Sequence, residues 1–302
     1  MVAFLVVSHR NPEQVLRLVR VLREGESTAV VVRHDERGCS LDASAVEAAG
    51  GSLLVDHHEA DWGSSAFADM LLGALEHVRR LHDPDWVVTL SGQDYPLRPV
   101  DELSRLLTEG PYQALLHDSW ELDLTRRATP PRDEFFRRYA YRHYAVPRPV
   151  AGAVSRALGS RAYVRVMPPG QPVLVGLRAR RTPFGPGLGC RVSSDWLMLH
   201  RTAIESLLGF VGSNPGVMRY YRRAVIPSES LFATALGNDP AIAVGPAPRS
   251  LRFQPGAANP DVLGARDVGE LLRGGGYLAR KFDAEADPRA LDLLDEARAG
   301  AR

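Results

Sequence analysis

Short apolar runs alternate with amphipathic stretches along the first third of the chain, which is the pattern of βαβ units. Four apolar runs predict strands at residues 2–7, 28–35, 52–56 and 86–92. Three amphipathic stretches between them predict helices at residues 11–22, 40–51 and 64–82. The last run is almost continuously apolar, as in strands buried on both faces of a parallel sheet. We therefore predict an α/β fold with a Rossmann-like, mostly parallel sheet and helices on both faces.

Local signals agree with these boundaries. Asn11 occupies the expected N-cap position of the first helix, and Pro12 stands at its first helical position. In the third helix, apolar side chains recur with the period of a helix that packs one face on a sheet. They are Phe67, Met70, Leu71, Leu75, Val78 and Leu81.

Polar side chains stand at the end of each predicted strand. They are Ser8 and His9, His34 and Asp35, His57 and His58, and Ser91 to Asp94. In a parallel sheet the loops at the carboxyl ends lie on one side, where doubly wound folds bind their ligands. We expect these residues to surround a ligand site.

The alternation stops between residues 121 and 186, where Arg, Tyr, Pro and Gly dominate. Long insertions in compact domains are usually functional or mobile, so we expect an irregular acceptor-binding or lid segment. Regular elements return as a strand and helix at 190–211, a helix starting near Pro227, and a short extended piece followed by a helix at 277–297.

The length fits one domain. We divide residues 1–302 into a first part at 1–120, the insertion at 121–186, and a last part at 187–302.

Composition narrows the function classes. An apolar fraction of 45% and a charged fraction of 24% exclude a disordered chain, a collagen and a coiled coil. The net charge of +1 gives no global field for nucleic acid or an anionic membrane. The stretch "RRYAYRHY" at 137–144 interleaves cations with aromatics, as single-strand nucleic-acid binders do. The near-neutral charge argues against that function, and we expect no nucleic-acid partner.

Two cysteines, Cys39 and Cys190, cannot form a disulfide framework and have no metal-ligand spacing. They are most simply two inert, buried thiols in a reducing compartment. The apolar run at the N-terminus is too short for a signal peptide or a membrane span, and no later stretch is long enough. We expect a cytoplasmic protein without a transmembrane segment.

Histidines and an aspartate at the strand ends raise the question of a metal site. His34 and Asp35 offer a single carboxylate, whereas Mn²⁺ and Mg²⁺ prefer several oxygen ligands. His57 and His58 are adjacent, so they should point to opposite faces. We expect no divalent metal here.

Two other carboxylates each have a structural and a chemical interpretation. Asp94 could form a turn with Pro96, or it could bind the hydroxyls of a donor sugar or ribose. Glu229 follows Pro227 at a helix start, where an acidic residue complements the helix dipole. Its chemical interpretation is a general base, which needs a carboxylate on a rigid element. Taken alone, the helix-dipole role is favoured for Glu229.

Lys281 is the only lysine in the chain; all the other residues in the count of 37 Lys and Arg are arginine. An arginine would serve equally well on a solvated surface. Lysine differs as a compact point charge suited to a single phosphate oxygen. The exception favours a specific anion contact at Lys281.

Seven blocks follow one another along the chain: "VVSHRNPEQVLRLVRVL", "VVRHDERG", "DWGSSAFADMLLGALEHV", "VTLSGQDYPLRPVDEL", "SSDWLMLHR", "IPSESLFATAL" and "YLARKFD". In this order they resemble one family, the core 2 / I-branching β-1,6-N-acetylglucosaminyltransferases, which also includes peptide O-xylosyltransferases (glycosyltransferase family 14). The resemblance covers about residues 2–297 except the arginine-rich middle. It implies that residues 1–120 are a nucleotide-sugar-binding half and residues 187–302 an acceptor and catalytic half.

The resemblance implies a GT-A type fold and inverting transfer from a UDP-sugar, with basic side chains instead of a metal on the diphosphate. It matches Glu229 to the catalytic base and Lys281 to a diphosphate-binding lysine. It also implies an upstream arginine on the diphosphate, for which Arg252 and Arg266 are candidates. The donor side would comprise His9, His34, Asp35, Trp62, Gly63 and Asp94. The acceptor side would comprise Ser194, Asp195 and Trp196.

The chain departs from the family at some points. It has Pro-Ser-Glu where members commonly show Pro-Asp-Glu, and its two cysteines do not make the cysteine framework of the animal enzymes. We also expect no counterpart of their membrane anchor. We therefore expect a soluble bacterial-type member that transfers GlcNAc or xylose to a small-molecule, lipid-linked or peptide hydroxyl, in natural-product or polysaccharide biosynthesis, without a cofactor. The alternative is a noncatalytic nucleotide-sugar or carbohydrate-binding module with the same fold.

Overall fold

The structure is a computed structural model that describes residues 1–55, 60–125, 133–159, 162–165, 173–254, 257 and 259–301. The strand-end histidines His57 and His58 lie outside the described residues. The described strands are β1 Val2–Ser8, β2 Thr28–His34, β3 Ser52–Leu53, β4 Trp86–Ser91, β5 Asp94–Pro96, β6 Ala114–Leu116, β7 Trp120–Glu121, β8 Tyr141–Val146, β9 Ala162–Arg165, β10 Val173–Arg178, β11 Arg191–Val192, β12 Met198–His200, β13 Val244–Pro246, β14 Arg249–Leu251 and β15 Leu278–Arg280. The described α-helices are α1 Pro12–Leu22, α2 Ala43–Ala48, α3 Ser65–His82, α4 Val100–Glu109, α5 Glu134–Ala140, α6 Arg148–Leu158, α7 Arg201–Ser213, α8 Pro215–Tyr221, α9 Ser228–Gly237, α10 Val268–Arg273 and α11 Pro288–Gly300.

Seven strands form the central sheet, in the order β13-β6-β12-β4-β1-β2-β3. Strand β1 pairs in parallel with β2 and with β4, and β2 pairs in parallel with β3. Strand β13 runs parallel to β6. Strand β12 is antiparallel to both β4 and β6. The carboxyl ends of β1, β2 and β4 therefore meet at one edge, as the sequence predicts.

Both faces of this sheet are covered by helices. Along β1, Ala3 and Leu5 contribute to a core with α3, α5, α7, α8 and α9. Phe4 and Val6 point to the other face and pack with α1, α2, α4 and α11. This alternation is the period of a strand buried on both sides. The predicted fold class, α/β with a mostly parallel Rossmann-like sheet and helices on both faces, is confirmed.

The third predicted helix, α3, is 18 residues long and buries the apolar face that its sequence predicts. Leu81 is an exception, since it is 55% exposed near the end of the helix. The side chain of Ser64 caps α3 by accepting a hydrogen bond from the backbone nitrogen of Phe67 at 3.3 Å. No helix in the described ranges combines the length and the apolar character needed to cross a membrane.

Asn11 precedes α1 as predicted, but its side chain does not cap the helix. The backbone of Asn11 is left-handed, with φ at 50°, and its side-chain nitrogen Nδ2 donates to Asp283 Oδ1 at 2.9 Å. Arg10 also binds Asp283, with Nη2 at 2.5 Å from Oδ2. The start of α1 is thus tied to the segment that follows β15.

A small sheet of order β14-β15-β5 lies next to the carboxyl end of β4. It contains an ion pair with no solvent exposure, between Arg249 of β14 and Asp94 of β5. Arg249 also donates to the carbonyl of Thr89 at 3.0 Å, and Asp94 accepts from the backbone nitrogen of Ser91 at 2.7 Å. These bonds fix β15, which ends directly before Lys281.

The expected irregular insertion contains regular structure in its described part. Strands β8, β10 and β9 form an antiparallel sheet, and α6 packs against β9 and β10. In β8, Tyr141 and His143 are buried while Arg142 and Tyr144 are only partly so, which is a period of two. The polar residues Arg142 and His143 side by side hid this strand pattern in the sequence.

We predict that replacing Arg249 with Met destabilises the protein by about 3–5 kcal/mol, because it leaves the Asp94 carboxylate buried without its partner. Urea unfolding measures this change. Arg252→Met is the matched control, since Arg252 is 39% exposed and its surface ion pairs should be worth less than about 1 kcal/mol. Equal effects of the two substitutions would contradict the prediction.

Candidate active site

A cavity of about 740 Å³ opens at the carboxyl ends of β1, β2 and β4. Its volume lies in the range typical of small-molecule sites. Residues that end or follow these strands line one part of it, and they include Ser8, His9, Asp35 and Ser91. Further walls come from the segment between β11 and β12, the start of α9 and the end of β15. The crevice expected at the strand ends is therefore present.

His9 and His34 follow different strands and lie in different environments. His9 lines the cavity, and burial lowers the pKa of its imidazole, which favours the neutral ring. His34 is buried beneath the cavity. Its Nδ1 lies 2.8 Å from Ser8 Oγ, and its Nε2 lies 2.8 Å from the carbonyl oxygen of Cys39. The ring of His34 therefore ties β1 to the loop after β2.

Asp35 lines the cavity, but a neighbouring guanidinium already occupies its carboxylate. Arg37 donates to Asp35 through Nε at 3.0 Å and Nη2 at 2.6 Å, and through Nη1 to Asp61 at 2.8 Å. The Arg37 hydrogen bonds hold the pKa of Asp35 at about 2. This carboxylate is thus ionised and paired.

Trp62 and Gly63 precede α3 and have separate roles. Trp62 lines the cavity with a side chain that is 48% exposed, and its indole nitrogen donates to Asp195 Oδ2 at 3.3 Å. Gly63 does not line the cavity. Its φ of 85° suits glycine, and its carbonyl accepts from the backbone nitrogen of Ile226 at 2.9 Å. Gly63 therefore supports the turn that leads into α9.

Ser194, Asp195 and Trp196 all line the cavity between β11 and β12. The Ser194 hydroxyl accepts from the backbone nitrogen of Trp196 at 3.0 Å, which fixes the turn. Asp195 is 3% exposed, and its Oδ1 has no hydrogen-bond partner among the described residues. Burial raises the pKa of Asp195. The cavity wall thus holds a carboxyl group with a free acceptor atom.

Glu229 enters the cavity from the second position of α9. This helix is buried along most of its length, and the Glu229 carbonyl accepts from the backbone nitrogen of Ser193 at 2.8 Å. The carboxyl is therefore held on a rigid element. Burial, followed by the nearby charge of Asp195, raises the pKa of Glu229 to about 7. A helix-dipole role alone would lower this pKa, so burial and the like charge outweigh the dipole.

One arginine from α5 reaches this carboxyl group. Arg138 Nη1 donates to Glu229 Oε2 at 2.6 Å. The same guanidinium lies 4.9 Å from the ring centroid of Phe135. The attraction of Arg138 opposes the rise in the pKa of Glu229. The segment between 121 and 186 therefore contributes a cation to the cavity's carboxyl cluster.

Two adjacent cations, Arg280 and Lys281, line the cavity at the end of β15. The Arg280 guanidinium carbon lies 4.6 Å from the Trp196 ring centroid. Neither Nε nor Nη1 of Arg280 has a hydrogen-bond partner among the described residues. Burial lowers its pKa to about 10, so it stays charged at neutral pH. Burial and the charge of Arg280 also lower the pKa of Lys281.

Besides His34 and Gly63, three more of the residues predicted for the donor or its diphosphate do not line the cavity. Arg252 binds Asp261 at 3.0 Å and Asp267 at 2.8 Å on the protein surface. The side chain of Arg266 is 88% exposed. Asp94 is fully buried in its pair with Arg249, as described above, so it supports the site from beneath.

Sequence reasoning missed Arg280 and Arg138. Arg280 directly precedes the single lysine, but the abundance of arginine in this chain hid it. Arg138 lies in "RRYAYRHY", which we weighed as a nucleic-acid surface and as part of an acceptor-binding or lid segment, but not as a source of a contact to Glu229. No sequence signal connects Arg138 with Glu229, because the two are 91 positions apart.

Within the described part of the chain, no group of three or more His, Cys, Asp or Glu side chains is placed to hold a metal ion. His9 and Asp35 both line the cavity at the strand ends. Arg37 already occupies the oxygens of Asp35. The expected independence from metals stays a prediction.

Comparisons with known proteins give distant likenesses. No protein-family model matches the sequence, and no curated protein matches it. Mouse xyloside xylosyltransferase 1 in its apo form is 10% identical, with 92% of this chain and 97% of that chain covered and a TM-score of 0.40. A CMP:2-keto-3-deoxy-manno-octonic acid synthetase with CTP is 13% identical over 70% and 78% of the two chains, with a TM-score of 0.30. A putative glucose-1-phosphate thymidylyltransferase from Bacillus anthracis is 7% identical over 69% and 75%, with a TM-score of 0.31. Likenesses of this size carry no argument about function.

We predict that the cavity binds inorganic pyrophosphate through Arg280 and Lys281. A hydrogen bond to a charged group is worth about 1.5–3 kcal/mol, so Lys281→Ala should weaken binding by at least about tenfold. Calorimetric titration in EDTA measures the affinity. Arg266→Ala is the matched control, because that exposed side chain lies away from the cavity. If Arg266→Ala weakened pyrophosphate binding and Lys281→Ala did not, the anion would bind outside this cavity.

Proposed function

We propose that this protein is an inverting, metal-independent glycosyltransferase that moves a sugar from a UDP-sugar to an acceptor hydroxyl. The observation that supports this proposal is the content of one cavity. Glu229, a partly buried carboxyl with a pKa near 7, shares it with Lys281 and with Arg280, whose Nε and Nη1 have no hydrogen-bond partner among the described residues. Base and cations are the two groups that such a displacement requires.

Glu229 acts as the general base. Its pKa of about 7 leaves a substantial fraction ionised at neutral pH while keeping its affinity for a proton high. The carboxylate accepts the proton of the acceptor hydroxyl as the oxygen attacks the anomeric carbon. The attack comes from the face opposite the leaving nucleotide, so the configuration inverts.

Arg280 and Lys281 stabilise the leaving diphosphate. Its oxygens gain negative charge as the glycosidic bond breaks, and cations already in place lower the barrier without reorganising. Arg280 takes the part for which Arg252 and Arg266 are the sequence candidates, because Arg280 lines the cavity and they do not. The planar guanidinium is held against Trp196, and the lysine supplies a point charge beside it.

The substrates occupy different parts of the cavity in this proposal. The donor, UDP-GlcNAc or UDP-xylose, lies along the strand ends near His9 and Asp35. The acceptor lies near Ser194 and Asp195, with the exposed face of Trp62 available for an apolar sugar or scaffold surface. A small molecule, a lipid-linked precursor or a peptide hydroxyl can enter there. The proposed setting is the cytoplasm.

The alternative is a noncatalytic module that binds a nucleotide-sugar or carbohydrate with the same fold. Such a module has no need for a buried carboxyl with a pKa near neutrality. Donor binding without turnover, with every hydroxyl acceptor tested, would favour this alternative.

We predict that UDP binds better than GDP or dTDP and that EDTA leaves its affinity unchanged. Calorimetric titration with each nucleotide, in EDTA and again in Mn²⁺, makes the comparison. Metal independence is expected because Arg280 and Lys281 provide positive charge at the diphosphate. An absolute requirement for Mn²⁺ would contradict this part of the proposal.

We predict that Glu229→Gln lowers the rate of UDP release from a UDP-sugar by about 10²–10⁴-fold, because the amide cannot accept the proton. UDP affinity should stay near that of the wild type. In the wild type, the rate should rise as the pH increases through about 7, because only ionised Glu229 is a base.

Asp195→Asn is the companion variant for this test. It removes the like charge that raises the pKa of Glu229, so the rise in rate should move to lower pH while turnover persists. If Asp195→Asn abolishes turnover and Glu229→Gln preserves it, the base is Asp195 rather than Glu229.

A further inference from the structure

The carboxylate of Glu229 is bound on one side only. Arg138 is its hydrogen-bond donor among the described residues, and the bond goes to Oε2 at 2.6 Å. Oε1 receives no hydrogen bond from the described part of the chain. Because Glu229 lines the cavity, an entering hydroxyl can reach this second oxygen. Oε2 of Glu229 is therefore fixed by Arg138, whereas Oε1 can accept a hydrogen bond from a ligand in the cavity.

Arg138 is itself held in place. Its Nε donates to Glu134 Oε1 at 3.1 Å, one helical turn earlier in α5. Arg165 of β9 binds the same oxygen of Glu134. The ring of Phe135 packs against the guanidinium. An ordered chain of charges thus runs from the small antiparallel sheet to the wall of the cavity.

The charges around Glu229 are otherwise unfavourable to its ionised form. Asp195 is a second buried carboxyl group close by, and burial itself disfavours ionisation. The titratable and charged groups that act on Glu229 are Asp195 from the β11–β12 segment, Arg138 and Tyr139 from α5, and Arg165 from β9, while Arg280 of β15 acts on Asp195. Of the cations, Arg138 alone forms a described hydrogen bond with this carboxylate.

We propose that Arg138 is a positioning residue, which turns Glu229 Oε1 toward the acceptor hydroxyl and keeps the carboxylate ionised near neutral pH. This inference rests on the proposed function for the role of Glu229, but the Arg138–Glu229 interaction can be tested without turnover. Because α5 belongs to the arginine-rich segment at 121–186, this role of Arg138 would make that segment part of the catalytic site.

The first test is the pH dependence of UDP release from a UDP-sugar. In Arg138→Gln, the pH at which the rate rises should move up by about one unit, which is a loss of roughly tenfold at neutral pH. Arg138→Lys keeps the charge and should restore much of the wild-type profile. Arg137→Gln is the matched control, because Arg137 is its neighbour on α5 and lies over the Tyr163 ring instead.

The second test measures the protonation of Glu229 directly. Carbon-13 NMR of protein labelled at the glutamate carboxyl gives a titration for each glutamate, and the resonance missing from Glu229→Gln identifies this one. Its midpoint should lie higher in Arg138→Gln than in the wild type, and Arg138→Lys should return it. This measurement requires no substrate.

The outcomes separate the two proposals. An upward shift of the Glu229 midpoint in Arg138→Gln, with recovery in Arg138→Lys, supports the role of Arg138 even if no UDP-sugar is turned over. An unchanged midpoint overturns it, as does a fall in rate that is equal at every pH. If Glu229→Gln turns over UDP-sugar at the wild-type rate, the proposed function fails, and the NMR midpoint still decides whether Arg138 controls this carboxyl.

Discussion

Two carboxyl groups that line the cavity, partly buried Glu229 and buried Asp195, lie close together, and the arrangement around them depends on this unfavourable pairing. Burial and mutual repulsion disfavour two negative charges at such a place. The surrounding cations counter this tendency from different elements, Arg138 from α5 and Arg280 from β15. The cavity therefore requires four parts of the chain, α5, the β11–β12 segment, α9 and β15, to fold against one another before these charges are balanced.

A buried ion pair between the neighbouring strands holds β15, the strand that carries Arg280. The buried pair of Asp94 and Arg249 joins β5 to β14, and β15 lies between these strands. Arg280 pairs in register with Asp94 across the β5–β15 ladder. The position of the last strand residues is thus set by backbone pairing and by an ion pair with no access to water. A ligand that binds at Arg280 and Lys281 meets charges that need little rearrangement, which reduces the entropy cost of binding.

Much of the fold could be predicted, because strand and helix periods are local properties. The runs at β1, β2 and β4 and the apolar face of α3 were readable from spacing alone. At the site, His9 and Asp35 could be placed at the strand ends by the parallel topology. The contact between Arg138 and Glu229 could not, since it joins elements whose packing is decided by the whole core. Asp94 shows the same limit: its sequence position is compatible with a ligand contact, and only the fold reveals that Arg249 covers it.

The ion pair between α5 and α9 also limits how this protein can be altered. The segment that borders the proposed acceptor side also carries the cation that binds Glu229. A graft that exchanged this segment for another, in order to admit a different acceptor, would bring its own charge to the carboxylate. Such an exchange would therefore change the range of acceptors and the pH optimum at the same time. Chimeras that retain Glu134 and Arg138 while varying the surrounding loops would separate the two properties.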